Sequence, residues 1–494
     1  MATRTYGLSG SGMDVDQLVS DLMKAQRTRY DSMVQKKTLL EWKKSDYHTM
    51  YTTINDFRNT VFNYKLSSTL SPKNVTSSDE SVATVTANSD AANVTHSLTV
   101  NWLAEGVTLT SGDLNSASSK DSLVNQFYGG TAPTPATFNI KISDGATEKE
   151  ITVDTSKSIY DLVSNINNSG LNIKANYDSN LDRFFLYNTK TGADTEIDFT
   201  GSSAEGLTFL QNKLQLDTTT KTGKDASFSL DGVALTQASN SFTISNVTYN
   251  LKKAGTITAS VTGDTDKTIT AVKAFIEAYN SALSKVNAEV EESRYSDYAP
   301  LSSEQKAEMS ESEITAWETK AKSGMLHSDS MLRNLVDKMR NAIASPVSGV
   351  EGQYNSMSAL GITTGTYTEG GKLYLDEAKL KKALESDPDI VNKVFSADGD
   401  TSASQGVATR MYDILKGGMD NIVSEAGITA STSDDTESTL AKLINRYDDD
   451  LYTLSERLAD MEDRYYAQFN AMESALNQLN QQSSWLSQQF SSQG

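Results

Sequence analysis

Apolar residues near the C-terminal end of the chain recur at the spacing of a long helix. Between Leu440 and Tyr465 the steps alternate between four and three residues, and the repeat resumes after a shift at Phe469. The positions are Leu440, Ile444, Tyr447, Leu451, Leu454, Leu458, Met461 and Tyr465, followed by Met472, Leu476 and Leu479. A sustained seven-residue repeat favours coiled-coil packing, and no glycine or proline interrupts residues 428–493. The pattern predicts one long helix that packs against another.

A second helical stripe lies near the N-terminal end, where residues 14–71 contain neither glycine nor proline. Gly10 and Gly12 break the chain before it, and Asp14 followed by Gln17 has the spacing of a capping box. The apolar positions are Val15, Leu18, Val19, Leu22, Met23, Tyr30, Met33, Leu40, Tyr47, Ile54, Phe57 and Val61, with Lys37 and Lys44 interrupting the stripe. We expect the two terminal helices to pair, because each supplies the apolar surface that the other must bury.

Between about residues 74 and 265 the chain is rich in Thr, Ser, Asn and Asp and contains short alternating runs that are typical of strands. Examples are SVATVTA, TFNIKIS, NIKANYD and NVTYNLKK. Asp231-Gly232 predicts a tight hairpin. A single helical stripe of Ile159, Leu162, Val163 and Ile166 interrupts the strands. Helical periodicity returns in residues 269–290 and 331–343, followed by a small hairpin and one or two short helices.

This order of elements predicts an α+β multidomain protein. Long terminal helices pair as an antiparallel coiled coil, and a helical domain and two inserted β-rich domains lie between them in sequence. The predicted boundaries are 1–42 plus 450–494 for the coiled-coil leg domain, 43–73 plus 268–449 for the helical domain with a small hairpin, 74–130 plus 222–267 for one β-rich domain, and 131–221 for the other, which contains one helix.

Composition restricts the possible partners. With 494 residues, the chain is long enough for three or four domains of about 150 residues each. A net charge of −20 argues against binding to nucleic acid or to anionic lipid. The first residues have no apolar segment of the kind a secretory signal needs, and no apolar run is long enough to span a bilayer, so we expect no membrane insertion. Cysteine is absent, which excludes disulfides and thiolate chemistry and fits either chance or export to an oxidising exterior.

No pattern in the chain indicates catalysis. His48, His96 and His327 stand in no metal-binding spacing, and no nucleophile elbow occurs. The glycines near Lys372 fail the register of a phosphate-binding loop, and the loop around Asp398 lacks the distal glutamate of an EF-hand. We therefore predict no catalytic, metal-binding or cofactor-binding residues.

The end of the C-terminal helix is unusual for a coiled coil. After Glu473 no charged residue follows, although apolar residues continue at Leu476, Leu479, Leu486 and Phe490. Ordinary coiled coils are the commoner explanation of a heptad, but they keep charged flanking positions. A helix flanked by Gln, Asn and Ser can be surrounded by other helices without burying charges. This end is therefore predicted to enter an assembly.

Three separated segments resemble the bacterial flagellar filament cap proteins, the second hook-associated protein family. They are YGLSGSGMDVDQLVSDLMKAQRTRYDSMVQKKTLLEWKKSDY near the start, DASFSLDGVALTQASNSFTISNVTYNLKKAG at residues 225–255, and MSALGITTGTYTEGGKLYLDEAKLKKALESDPDIVNKVFS at residues 357–396. Departures from the family pattern are the insertion at residues 293–324 and the Ser-Gly-Ser-Gly at residues 9–12.

The resemblance implies a structural protein at the distal end of the flagellar filament. It would form a homo-oligomeric ring, promote the folding and insertion of flagellin, prevent flagellin loss, and leave the cell by type III export without a cleaved signal peptide. The implied partners are further copies of itself, flagellin, hook-filament junction proteins and an export chaperone on the C-terminal segment. The implied assembly residues on the leg helices are Val15, Leu18, Leu22, Leu451, Leu454, Leu458, Met461, Met472, Leu476, Leu479, Leu486 and Phe490.

Two alternatives remain open at this stage. The first is a surface adhesin that binds a host glycan or protein through the inserted β domains. The second is an intracellular coiled-coil scaffold, which would not be secreted.

Overall fold

A computed structural model of the chain describes residues 14–116, 120–431 and 434–491. Gly10 and Gly12, where we predict a chain break, lie outside these residues. Contacts divide the chain into two compact units, which we call the helical unit (Met1–Leu70 and Thr265–Gly494) and the β unit (Ser71–Asp264).

The helices within the described residues fall mainly in the helical unit. They are α1 (Val15–Asn63), α2 (Ser67–Leu70), α3 (Leu123–Phe127), α4 (Ile159–Asn167), α5 (Ala204–Thr208), α6 (Thr265–Glu291), α7 (Ser303–Ala307), α8 (Glu311–Lys322), α9 (Ser330–Ala344), α10 (Glu377–Ser386), α11 (Ile390–Ser396), α12 (Val407–Ala426) and α13 (Thr439–Ser491). A π-helix at Phe209–Lys213 and a 3₁₀-helix at Tyr367–Glu369 complete them. The two predicted terminal helices are confirmed, since α1 has 49 residues and α13 has 53.

The strands are β1 (Lys73–Ser77), β2 (Ala83–Ala87), β3 (Val94–Trp102), β4 (Thr108–Thr110), β5 (Thr137–Ser143), β6 (Glu148–Asp154), β7 (Ile173–Asp178), β8 (Arg183–Asn188), β9 (Glu196–Ile197), β10 (Lys221–Thr222), β11 (Ala226–Leu230), β12 (Val233–Gln237), β13 (Ser241–Ile244), β14 (Val247–Leu251), β15 (Gly255–Gly263), β16 (Ile362–Thr364) and β17 (Leu373–Leu375). The mixture of helix and sheet confirms the predicted α+β class.

The helical unit has a main core of apolar side chains from the second half of α1, from α6, from α9 to α12 and from the start of α13. An aromatic group lies at its centre, where the ring of Phe275 is 5.2 Å from Tyr64 and 5.1 Å from Phe395. The predicted hairpin forms by pairing of β16 with β17. The insertion at residues 293–324 contains α7 and α8, which begin with capping boxes at Ser302 and Ser310.

The β unit contains two separate apolar clusters. In the first, a five-stranded sheet in the order β1-β15-β3-β11-β12 and a three-stranded sheet in the order β13-β14-β2 share one core. The predicted hairpin joins β11 to β12, and both Asp231 and Gly232 have the positive φ that a tight turn of this kind requires.

The second cluster lies among α4, the sheet β4-β8-β7 and the hairpin β5-β6. Val107, Leu109, Leu114 and Leu123 are buried in it, although they belong to the β-rich domain predicted at 74–130. The clusters thus divide the chain near residue 106, because β4 pairs with the distant strand β8. The four-domain division itself stays a prediction.

Candidate assembly surface on the terminal helices

Helix α1 begins at a capped end, as predicted. Asp14 lies in extended backbone, and its carboxylate accepts a hydrogen bond of 3.0 Å from the backbone N–H of Gln17. The Gln17 side chain does not return to the cap, since it donates to Asp21 Oδ1 at 3.0 Å. The predicted reciprocal capping box is therefore wrong, and only its Asp14 half forms.

The first turns of α1 pack against the middle of α13 through a small apolar cluster, which we call the apolar seam. Its buried members are Val15, Val19 and Met23 of α1 with Leu458 and Tyr466 of α13. Its half-buried members are Tyr30, Leu454, Met461, Tyr465 and Phe469. Each buried side chain of this size contributes about 1.5–3 kcal/mol when it leaves water. The seam is the apolar surface that fixes the first turns of α1 to α13.

Polar contacts along the two helices show that they run in opposite directions. Tyr466 Oη donates to Asp16 Oδ1 at 3.1 Å. Further along α1, Lys37 Nζ lies 2.5 Å from Asp448 Oδ1. As the residue number of the contact on α1 rises from 16 to 37, the residue number of its partner on α13 falls from 466 to 448. The two helices therefore pack antiparallel. That they supercoil as a coiled coil stays a prediction.

The two lysines that interrupt the α1 stripe both have partners. Burial lowers the pKa of Lys37, but hydrogen bonds and charge from Asp448 and Glu41 outweigh this effect and raise it. Lys44 is completely buried, donates to the carbonyl of Ala426 at 2.9 Å and forms an ion pair with Asp435. The interruptions therefore tie α1 to α13 and to the segment before it.

Asp435 is held as a carboxylate by this arrangement. Burial would raise its pKa, but hydrogen bonds from Lys44, from the Ser438 hydroxyl and from two backbone N–H groups lower the pKa to about 2.

A pair of half-buried carboxyl groups lies between α1 and α6. Burial raises the pKa of Glu289 to about 7, and Asp46 and Glu292 add to the shift. Burial also raises the pKa of Asp46 to about 6, with a further increase from Glu292 and a partial offset from Lys322. Glu289 Oε1 has no hydrogen-bond partner. The ionised forms of this pair are therefore unfavourable in the folded chain.

The predicted assembly residues divide into three groups by exposure. Val15, Leu451 and Leu458 are buried, and Leu454, Met461 and Leu476 are half-buried. Leu18, Leu22, Met472, Leu479 and Leu486 are exposed. Phe490 lies in α13, but the structure does not describe its side chain.

The structure brings together residues that the predicted set omits. Leu18 and Leu22 are 39% and 41% exposed, whereas Val19 and Met23 are nearly fully buried in the seam. Val15, Val19 and Met23 are spaced by four residues, which places them on one face of a helix. Tyr466 is also buried, although the heptad marks its neighbour Tyr465. The four-residue spacing on α1 is a signal that could have identified the seam.

Helix α13 continues beyond the seam as a partly apolar rod with a single charged residue, Glu473. From Tyr466 to Ser491 it rises about 37 Å, and none of the residues after Glu473 is charged. The helical spacing of Met472, Leu476, Leu479 and Leu486 places them on one face in line with the seam, and three of them are exposed. We call these four residues the terminal apolar face.

The described residues hold no group of three or more His, Cys, Asp or Glu side chains placed to bind a metal ion. Among the same residues, no helix is long and apolar enough to cross a membrane.

Comparison with known proteins identifies the family. The model "Flagellar hook-associated protein 2 C-terminus" matches residues 223–481, and the model "Flagellar hook-associated protein 2 N-terminus" matches residues 11–106. Flagellar hook-associated protein 2 of Halalkalibacterium halodurans is 30% identical over 97% of this chain and 98% of its own length. The protein of the same name from Escherichia coli K12 is 25% identical over 97% of each chain.

The fold has a counterpart among solved structures. A crystal structure of the D1-D2-D3 domains of the flagellar cap protein FliD from Escherichia coli superposes with a TM-score of 0.56 at 20% identity, covering 81% of this chain and 99% of that one. The resemblance found in the sequence is confirmed, and this chain belongs to the flagellar hook-associated protein 2 family.

Proposed function

We propose that this protein caps the distal end of a bacterial flagellar filament, outside the cell. The cap is a homo-oligomeric ring that promotes the folding and insertion of flagellin subunits and prevents their loss. The related crystal structure is that of a flagellar cap protein, and the relatives are flagellar hook-associated proteins. The protein works by binding, without catalysis.

The observation that carries this proposal is the terminal apolar face. The end of α13 has no charged residue after Glu473, and its exposed Met472 and Leu479 present apolar surface that water solvates poorly. Its flanking side chains are amides and hydroxyls, so other helices can surround it without desolvating a charge. Flagellin and the hook-filament junction proteins are the proposed neighbours after export, and a chaperone holds the segment before type III export.

The first test is deletion of the gene in its own host. We expect bald or stub-bearing cells by electron microscopy and monomeric flagellin in the medium. Normal filaments in the deletion strain would overturn the proposed function. No observation favours the adhesin alternative.

A second test addresses the terminal apolar face itself. Leu479→Asp combined with Leu486→Asp adds two charges to the face, and we expect this variant to fold but to leave flagellin in the medium. The matched control is Asn477→Asp combined with Gln481→Asp, which adds the same charge to exposed positions on the other side of α13. If both variants restore filaments equally well when they are expressed in the deletion strain, a role for this face is contradicted.

A further inference from the structure

Two adjacent glycines in the middle of α12 have different surroundings. A Cβ atom on Gly418 would lie 2.8 Å from Leu335 Cδ1, so the close packing of α12 against α9 explains this glycine. A Cβ atom on Gly417 would meet no atom within 4 Å. Glycine weakens a helix interior relative to alanine, and the packing of the chain itself gives no reason for it at Gly417.

Gly417 lines a cavity of about 560 Å³ between α9 and α12. This volume lies within the range of pockets that hold a ligand. The cavity lining includes the cations Lys338 and Arg410, the amide of Asn421 and a single carboxylate, Asp413. The cavity therefore has a mixed polar and apolar lining, and its charged residues carry a net positive charge in a chain whose net charge is −20.

Arg410 is a buried cation without a carboxylate partner in the described part of the chain. Its side chain is 5% exposed, its Nη2 donates to the carbonyl of Ser345 at 3.1 Å, and its Nε has no hydrogen-bond partner. Burial lowers the pKa of Arg410. Asp413 lies three residues further along α12, yet the two side chains form no ion pair. A guanidinium buried in this way is stabilised when a carboxylate accepts its free donors.

We propose that this cavity, the α9/α12 pocket, binds an acidic side chain of a second copy of this chain. The missing side chain at Gly417 leaves room for the incoming segment, and Arg410 pairs with its carboxylate. We assign the partner as a second copy from the charge of the chain. Each chain has 64 Asp and Glu against 44 Lys and Arg, so two identical chains repel each other. A contact between an acidic side chain of one copy and the cationic site of the other reduces this repulsion. The inference rests on the proposed homo-oligomeric cap and assigns one of its contacts.

The decisive variant is Gly417→Glu in the full-length chain. The new side chain enters open space, so the helix is retained, and its own carboxylate fills the pocket in place of the partner's. Sedimentation velocity over a concentration series should show the dissociation constant for self-association raised by at least about thirtyfold. Gly417→Ala is the matched control and should self-associate as the unmodified chain does. Arg410→Gln should weaken association to a similar extent, and circular dichroism checks that this buried substitution still folds.

Photocrosslinking identifies the occupant. A benzophenone amino acid at position 417, in a mixture of isotopically labelled and unlabelled chains, should give adducts between chains that contain an Asp- or Glu-bearing peptide. The inference is overturned if the unmodified chain stays monomeric, if Gly417→Glu associates normally, or if adducts form only within one chain or only with another protein.

Failure of the inference and failure of the proposed function are separable. Normal filaments in the gene-deletion strain would reject the capping role while sedimentation of the purified chain still tests the pocket. Conversely, a Gly417→Glu protein that self-associates normally would reject the pocket contact and leave the capping role intact.

Discussion

The buried pair of Lys44 and Asp435 offers the sharpest test of how the terminal helices are fixed. Replacing Lys44 with Met keeps the apolar stem of the side chain and removes the ammonium group. Asp435 then loses its ion-pair partner, and the Ala426 carbonyl loses a donor. We expect Lys44→Met to lower the free energy of unfolding of the helical unit by about 3 kcal/mol, since breaking a buried ion pair leaves an uncompensated charge.

The pKa of Asp435 gives a second estimate of the size of this effect. Its value of about 2 lies below the ordinary 3.8, and a difference of this size corresponds to about 2 kcal/mol. Because the pKa is lower in the folded state, the stabilisation is present above pH 3.8 and is lost as the pH falls towards 2. The difference between the unmodified chain and Lys44→Met should therefore be largest at neutral pH and shrink in acid.

Urea unfolding followed by far-UV circular dichroism measures this difference, because the long helices α1, α6, α12 and α13 all lie in the helical unit. Lys36→Met, at an exposed position of the same helix, is the control and should change stability little. A double variant with Asp435→Asn measures the coupling between the two side chains. A loss no larger than that of Lys36→Met, or a coupling energy near zero, would refute the reasoning.

Three further predictions concern the helical unit. Leu458→Asp places a charge in the apolar seam and should destabilise the paired helices by about 3 kcal/mol and abolish capping. Ser455→Asp, at an exposed position of the same helix, is the control. Normal filament lengths with Leu458→Asp would contradict the prediction. Tyr466→Phe removes the hydrogen bond to Asp16 and should lower stability by about 1 kcal/mol in urea unfolding; an unchanged midpoint would show that this bond adds nothing. Glu289→Gln should stabilise the helical unit by about 1–2 kcal/mol at pH 8 but not at pH 4. Because the pKa of Glu289 is raised in the folded chain, the contribution of this group to stability is present at low pH and is lost as the pH rises through about 7. A gain that is the same at both pH values would argue against this assignment.

Much of the secondary structure could be predicted because its determinants are local. Helix α13 begins at Thr439, one residue before the first predicted heptad position, since the apolar period and the lack of glycine and proline act within a few turns. The Asp231-Gly232 hairpin depends on the backbone freedom of two adjacent residues. The fold class follows from the order of such elements.

The β-rich region shows where local signals fail. The predicted boundary between the two β-rich domains lies between residues 130 and 131, yet Leu109 and Leu123, which precede it, are buried with residues of the second cluster. Strand β4 pairs Thr108 with Tyr187, and a contact between residues so far apart leaves no trace in either local pattern.

What the sequence by itself determined about this protein is its elements, its acidic character and the uncharged end of α13, because each of these follows from neighbouring residues. Only the tertiary structure decided which surfaces meet. Leu18 and Val19 are equally apolar, yet the path of α13 buries Val19 and leaves Leu18 exposed. Lys44 disrupts an apolar stripe in the sequence and becomes a buried partner once Asp435 lies beside it. Burial and pairing are properties of two surfaces together, and a linear pattern describes one surface at a time.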